Sequence, residues 1–498
     1  MDILHNLFFG LGVALSLQNL LYCFIGVLVG TLIGVLPGIG PMATIAMLLP
    51  ITYNVSPVAA MIMLAGIYYG AQYGGSTTSI LVNLPGETSS VVTCIDGYQM
   101  ARQGRAGVAL AIAAIGSFVA GTLCTVLISL LGPWVADVAL KFGSPEYFSL
   151  MLMGLVTAAV LAQGDMLKSL AMVFLGLLLS MVGSDVDTGI KRFTFGFFEL
   201  ADGIGFVIIA IGVFAIGEII FNVSDPEEQQ VFTSRVGSLY PTLQDMKQAA
   251  APILRGTACG AFFGILPGTG PSIASFSSYM IEKKIASDPS RFGRGAIEGV
   301  AGPESANNAD AQCKFIPMLT LGIPASGTMA LMLGALMIHG ITPGPSVMTQ
   351  QPALFWGLIA SMWIGNMMLL ILNLPLVGLW VSLLKVPYRL LFPAIMVFSA
   401  IGISSTNSIS FDIYLTAIFG ILGVLWRLLG CSPIPLLLGL VLGPMMEENL
   451  RRALQVSDGD PIVFFTRPLS LVFLSATALI LIVMVLPAVQ KRRDDIAG

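Results

Sequence analysis

Two stretches of this sequence crowd small oxygen- and nitrogen-bearing side chains between long apolar runs. The first reads GGSTT at Gly74–Thr78 and continues through Asn83, Pro85, Gly86, Glu87, Thr88, Ser89 and Ser90. The second reads PESANNAD at Pro303–Asp310, followed by Gly322-Ile323-Pro324-Ala325-Ser326-Gly327-Thr328. Amide and hydroxyl donors suit anionic oxygens. On that ground Ser76, Thr77, Thr78, Asn83, Asn307, Asn308, Ser326 and Thr328 are candidate binding residues. Backbone carbonyls with Asn, Ser and Thr oxygens form a hard donor set of the kind that holds Na⁺. Asn83, Gly86, Thr88, Asn307, Gly322 and Ser326 are the candidate ligands for it. A lone Ser79 or Thr31 reads better as a small residue at a helix–helix interface. The paired amides Asn307 and Asn308 are different, because at membrane depth both would need partners. The expected setting is a re-entrant hairpin in each region.

A second motif occurs twice. Residues 30–41 read GTLIGVLPGIGP and residues 260–271 read GAFFGILPGTGP, a gap-free match at an offset of 230 with seven of twelve positions identical. Each LPGxGP should end one helix at the Leu-Pro step, because Pro has no N–H and restricts the residue before it. Gly38, Gly40, Gly268 and Gly270 permit positive φ and close approach. After Pro37 and Pro267 end the first helices, Pro41 and Pro271 suit the first turn of new ones. Such a helix start offers free N–H groups and the positive end of the macrodipole, which can hold a carboxylate without a full positive charge. The four glycines therefore join the candidate binding residues. A plainer reading makes each motif a kink between packed helices. A weaker match, LVNLPGETS at 81–89 with TLGIPASGT at 320–328, follows in the same order and sets Pro85 against Pro324. Two ordered matches argue duplication of a whole unit, and paired Gly/Pro-interrupted helices mark secondary transporters.

Ionisable residues in membrane regions are functional candidates by default. Glu87 and Glu304 each sit beside a polar cluster, and Asp310 and Lys314 stand four apart on an expected helix, where they can pair. DGYQMARQG at Asp96–Gly104 reads as a water-facing loop. Enzyme signatures are missing: there is no HExxH, no GxSxG and no Gly-Lys pair, hence no P-loop. Energy for transport would then come from an ion gradient or another subunit. The six cysteines, Cys23, Cys94, Cys124, Cys259, Cys313 and Cys431, are scattered and suggest neither disulfide framework nor zinc site.

The elements that must position these groups follow from composition. Of 498 residues, 56% are apolar and 10% charged, against roughly 25% charged in soluble domains. Lipid must solvate most of such a chain. A net charge of −4 without a basic domain argues against nucleic-acid binding. Runs near the length of about 20 apolar residues needed to span a bilayer lie near 20–36, 56–72, 107–131, 147–163, 166–182, 203–222, 251–266, 353–384, 390–404, 411–430, 433–447 and 468–488. Shorter runs lie near 41–50, 77–84, 271–281 and 316–338. The chain divides into an N-terminal interfacial or first helix (1–19), a first repeat (20–135), connecting scaffold helices (136–222), a polar linker (223–250), a second repeat (251–345) and C-terminal scaffold helices with a tail (346–498). Met1–Gly10 lacks the basic region and cleavage site of a signal peptide. Lys491, Arg492 and Arg493 place the tail in the cytoplasm by the positive-inside rule.

At GVLPGIGPMAT, YGAQYGGSTTSILVNLPGE, DGYQMARQG, GILPGTGP, GPESANNADAQ and LTLGIPASGTMALMLGA the chain resembles the large permease subunit of the tripartite tricarboxylate transporter family. The resemblance implies a bacterial inner-membrane system of three parts. A periplasmic solute-binding protein delivers the substrate, and a small membrane subunit accompanies the large one. It also implies cation-coupled uptake, with Na⁺ as coupling ion, of citrate or a related carboxylate. The expectation is an all-α polytopic membrane protein with about 10–14 membrane segments, two related repeats (inverted, by analogy with other duplicated transporters) and re-entrant hairpins. An ion channel, which would need a constriction ringed by like groups, and an intramembrane enzyme are the rival readings.

Overall fold

The computed structural model describes residues 3–36, 40–162, 165–185, 188–217, 220, 239–266, 269–383 and 410–485. The expected span at 390–404, most of the polar linker, the basic tail, and Pro37, Gly38, Pro267 and Gly268 lie outside the described residues. The described chain is almost entirely helical, with one antiparallel ribbon pairing Gly183–Ser184 with Lys191–Arg192. By length and composition, four described helices can cross a membrane: Leu17–Val35, Ala106–Ala139, Pro352–Asn373 and Ser410–Leu428. Shorter apolar helices include Pro41–Thr52, Met166–Ser180 and Gly327–Ile338. Helix Pro57–Val82, at 26 residues, is long enough but carries the polar GGSTT, and its length is buried from Ala59 to Leu81 inside the other helices.

Local chemistry starts these helices where the sequence suggests. Ser16 and Ser56 cap Leu17–Val35 and Pro57–Val82 by accepting from the amides of Asn19 and Ala59. Thr242 and Asp245 cap each other's backbone at the start of Leu243–Ile265.

Packing is densest along two glycine seams. On Leu17–Val35, a Cβ at Gly26, Gly30 or Gly34 would stand 2.3, 2.5 or 2.3 Å from the carbonyl oxygens of Met63, Ile67 and Ala71 on Pro57–Val82. On Leu243–Ile265, a Cβ at Gly256, Gly260 or Gly264 would stand 2.2, 2.1 or 2.7 Å from those of Gly302, Ala306 and Asp310 on Glu298–Cys313. Only glycine allows backbones this close, which is how apolar helices gain van der Waals contact where lipid offers no hydrophobic drive. The glycines of the two seams are offset by 230 residues and their partners by 239. Numbers rise together across each seam, so both helix pairs run parallel.

The two pairs begin at opposite ends of the 34-residue helix Ala106–Ala139. At one end Arg105 bonds Asp245 at 2.6 Å, in the first turn of Leu243–Ile265. Toward the other end Gly132 meets the Phe355 ring, and the neighbouring Gly357 packs on Val13 and Val58, where Pro57–Val82 begins. The Arg105 end also gathers Arg102, Lys247, Lys283, Lys284, Arg291 and Arg294, with Gln103 donating to the Arg294 carbonyl at 2.8 Å. At the opposite end Arg192 and Arg451 bracket Glu447 and Asp185. The Thr188 amide, then the Thr188 hydroxyl and Arg451, working against burial, hold the Asp185 carboxyl well below its usual range.

Three sequence expectations change. GGSTT and PESANNAD do not lie at hairpin tips; they sit inside the continuous helices Pro57–Val82 and Glu298–Cys313. DGYQMARQG is not a solvated loop: most of it forms helix Val91–Arg102, and Asp96 is fully buried. Its Oδ1 accepts the amides of Gly293, Gly295 and Ala296 at 2.7–2.9 Å, and its Oδ2 accepts the Tyr279 hydroxyl. Those donors, about 200 residues downstream, supply what water was expected to. The 353–384 run is interrupted after Asn373 before Val377–Leu383 begins.

Candidate functional site

Where the polar helices end, the chain breaks twice in the same way. Asn83 closes Pro57–Val82 in the left-handed region (φ 58°, ψ 26°), and Gly322 closes Phe315–Leu321 there too (φ 71°, ψ 22°). Gly and Asn are the residues that adopt this conformation at least cost. Pro85 and Pro324 follow, and then extended residues: Glu87 (φ −148°, ψ 167°) starts Thr88–Ser90 and Ser326 (φ −156°, ψ 169°) starts Gly327–Ile338. Each pair again differs by 239 residues. In the first break the chain doubles back. A Cβ at Gly86 would lie 2.1 Å from the Gly34 carbonyl, and one at Gly75 would lie 3.0 Å from Cγ of Glu87. Asn83, Pro85 and Thr88 are exposed, whereas Gly322, Pro324 and Thr328 are buried.

The helices that follow the LPGxGP motifs pack against these breaks. Gly40 and Gly270 are the N-caps, and Pro41 and Pro271 open the next helices, Pro41–Thr52 and Pro271–Ile285. Gly327, at the second break, packs on Met42 of the first of these helices. Thr88–Ser90, at the first break, packs on the second. Each break thus meets the helix that follows the LPGxGP motif of the other half. Gly40 and Gly270 have φ of −77° and −90°, not the positive values that the sequence suggested. A Cβ at either meets no described atom within 4 Å. Neither backbone conformation nor packing among the described residues requires glycine at these two positions.

Between the breaks lies a buried polar cluster. Glu304 accepts from Thr93 and from Ser76, the latter at 2.5 Å. Glu87 accepts from Ser89 and from Asn307 Nδ2 at 3.3 Å, which joins the first break to the second half. Asn307 Oδ1 is buried without a partner among the described residues. Tyr68 interacts with Ser326, Asp310 and Glu87. Lys314 pairs with Asp310, both side chains fully buried. Of the candidates named from sequence, Ser76, Asn307, Glu87 and Glu304 belong to this cluster. Asn308 donates instead to Ser117 at 2.7 Å and to the Glu304 carbonyl, a helix-to-helix tie. Thr78 donates to the Val35 carbonyl, which Leu17–Val35 leaves open at its end. Ser326 caps its own helix through the Met329 amide. Thr77 is buried within Pro57–Val82.

Sequence reasoning missed Gln72, Thr93 and the Tyr73–Asn366 bond of 2.6 Å. Asn366, a buried amide in an apolar run, was the one with a readable signal, since an amide at that depth must find partners.

Asn307→Ala is expected to weaken transport affinity about 5- to 150-fold, the equivalent of about 1–3 kcal/mol for a buried polar partner lost, with membrane insertion unchanged. Asn308→Ala should instead lower the melting temperature of the purified protein. Wild-type uptake kinetics in Asn307→Ala would remove that residue from the site.

An all-helical polytopic chain whose interrupted helices enclose a polar cluster is the build of a membrane transport protein. The family model for the tripartite tricarboxylate transporter TctA family matches residues 20–438, and this chain belongs to that family. It is similar, at 57% identity over its whole length and 99% of the relative's, to an uncharacterized 52.8 kDa protein in the TAR-I ttuC' 3'region of Agrobacterium vitis. A second Agrobacterium vitis protein, from the TAR-II ttuC' 3'region, is 56% identical over 48% of this chain and 98% of its own. No solved structure matches.

Proposed function

We propose that this chain is the permease subunit of a binding-protein-dependent, cation-coupled secondary transporter that imports tricarboxylates such as citrate, or related carboxylates, with Na⁺ as coupling ion. The observation that carries the reading is the crossed packing of each helix break on the helix that follows the other half's LPGxGP motif, beside one buried polar cluster. Helix starts suit a carboxylate; broken-helix carbonyls and amide oxygens suit a cation. Asn307 Oδ1, without a partner among the described residues, is an acceptor of that kind.

The same facts favour two inverted repeats with re-entrant breaks. Matching seams, matching left-handed caps and starts at opposite ends of Ala106–Ala139 are what such a duplication would leave. With the Arg105 end in the cytoplasm, its surplus of Arg and Lys obeys the positive-inside rule. Periplasmic binding protein and small membrane subunit complete the system in the bacterial inner membrane.

The test is reconstitution of permease, small subunit and binding protein in vesicles. Labelled citrate, or another carboxylate from a panel of di- and tricarboxylates, should accumulate under an inward Na⁺ gradient and only with the binding protein present. Uptake that ignores Na⁺ and proton gradients but requires ATP would sink the reading. Passive flux without the binding protein would favour a channel, and chemical alteration of the substrate an enzyme.

A further inference from the structure

Glu304 is buried on Glu298–Cys313, and its side-chain bonds among the described residues are to the hydroxyls of Ser76 and Thr93. Among the described residues, the nearby basic groups are engaged elsewhere: Lys314 by Asp310, Arg255 by Glu282, and Arg105 by Asp245. Several helices pack around Glu304. Pro57–Val82 presents Ser76 and Tyr73, and Val91–Arg102 presents Thr93 and Cys94. The first break presents Glu87, a like charge. Ala106–Ala139 brings Ser117, which has no titratable group, and Pro271–Ile285 brings Glu282 in its pair with Arg255. An isolated carboxylate in such surroundings is costly in its charged form.

Counting hydrogens sharpens this. Ser76 Oγ lies 3.1 Å from the Gln72 carbonyl oxygen and 2.5 Å from Glu304 Oε2. A hydroxyl has one hydrogen, and a carbonyl oxygen can only accept. With that hydrogen on Gln72 O, the contact to Glu304 is a hydrogen bond only when Glu304 supplies the hydrogen itself. The serine can also turn and donate to a charged Glu304, leaving the carbonyl with its helical bond alone. The site has a hydrogen-bonded arrangement for both forms of the acid.

We propose that Glu304 is a proton-binding site of the transport cycle, loaded while the site faces one side of the membrane and emptied when it faces the other. The O–H bond at Oε2 forms with a proton from water on one side. It breaks to water on the other, and the Ser76 hydroxyl swings from Gln72 O to the carboxylate. Glu304 lies six residues, about 9 Å of helix, from Glu298, whose partner Arg291 is 42% exposed at the basic end. This proposal rests on the permease reading and adds a proton to the cation coupling.

The test uses the full three-part system in vesicles, with Na⁺ equal on both sides and labelled citrate as probe, or the carboxylate taken up if citrate is not. Wild type should accumulate substrate under an imposed inward proton gradient and also exchange labelled for unlabelled substrate. Glu304→Gln, which keeps the shape of the protonated acid, should retain exchange and lose proton-driven accumulation. Glu304→Asp, which keeps a titratable acid, should accumulate substrate under the proton gradient where Glu304→Gln does not. Ser76→Ala, which removes the alternative donor, should shift the pH midpoint of net uptake. Proton-driven accumulation by Glu304→Gln would overturn the proposal. So would a Glu304→Gln protein of normal yield that has lost exchange as well, because the charged form would then be the one required. If Glu304→Gln does not fold, an unshifted midpoint in Ser76→Ala overturns it. A wild type that moves no carboxylate under any gradient overturns the permease reading itself, and this one with it.

Discussion

Lys314→Met is expected to deplete folded permease from the membrane. Lys314 and Asp310 are paired with both side chains at 0% exposure, one helical turn apart. Removing the cation strands Asp310, whose Oδ1 already lacks a partner among the described residues. Breaking a buried pair in this way costs about 3–5 kcal/mol, whereas replacing both partners can be neutral. Asp310→Asn combined with Lys314→Met should therefore recover much of the yield and melting temperature that Lys314→Met loses. A single mutant as stable as wild type, or a double mutant no better than the single, would contradict this account of the pair.

Gly40→Val and Gly270→Val should each abolish carboxylate uptake while leaving yield and melting temperature near wild type. A Cβ at either meets no described atom within 4 Å, and neither φ is in the region that demands glycine. The first turn of a helix, bared of side chains there, is where a carboxylate would draw on free N–H groups. Gly10 lies outside both LPGxGP motifs and invites use as a control. The structure rules it out, because a Cβ there would stand 2.3 Å from the Trp356 carbonyl oxygen. Gly12, with nothing within 4 Å, is the proper control. Gly260→Val, on a seam, should fail to fold. Full uptake by either Gly40→Val or Gly270→Val would mean that these helix starts do not frame the substrate.

How much of this was legible depends on the range of the forces. The helix boundaries that flank the LPGxGP motifs could be read directly, because Pro and Gly act on their own backbone. Pro41 and Pro271 do open helices. The break at Asn83–Glu87 was also visible through Pro85 and its match to Pro324. What misled was polarity. PESANNAD and DGYQMARQG look like loops when lipid is the only alternative to water. They are helices because other helices shield them and supply partners. Glu304 takes its donors from residues 228 and 211 positions away, and Asp96 takes three amides from a loop nearly 200 positions on. No window of sequence contains such pairs. The Asp310–Lys314 pair, by contrast, lies within one turn and was readable from spacing alone.

The glycine seams have a mechanical consequence. Two helices touching backbone to backbone at three successive turns have no soft side chains between them to deform, so each pair acts as a stiff strut. Load applied at one end of a strut is delivered at the other with little lost to bending. Compliance must then collect where the described helices lose their hydrogen-bond ladder, at 83–87 and 322–326. Those joints lie beside the polar cluster. A molecule built this way works as a linkage of rods and pivots, and the groups at the pivots feel the largest change in geometry for the smallest movement of the frame.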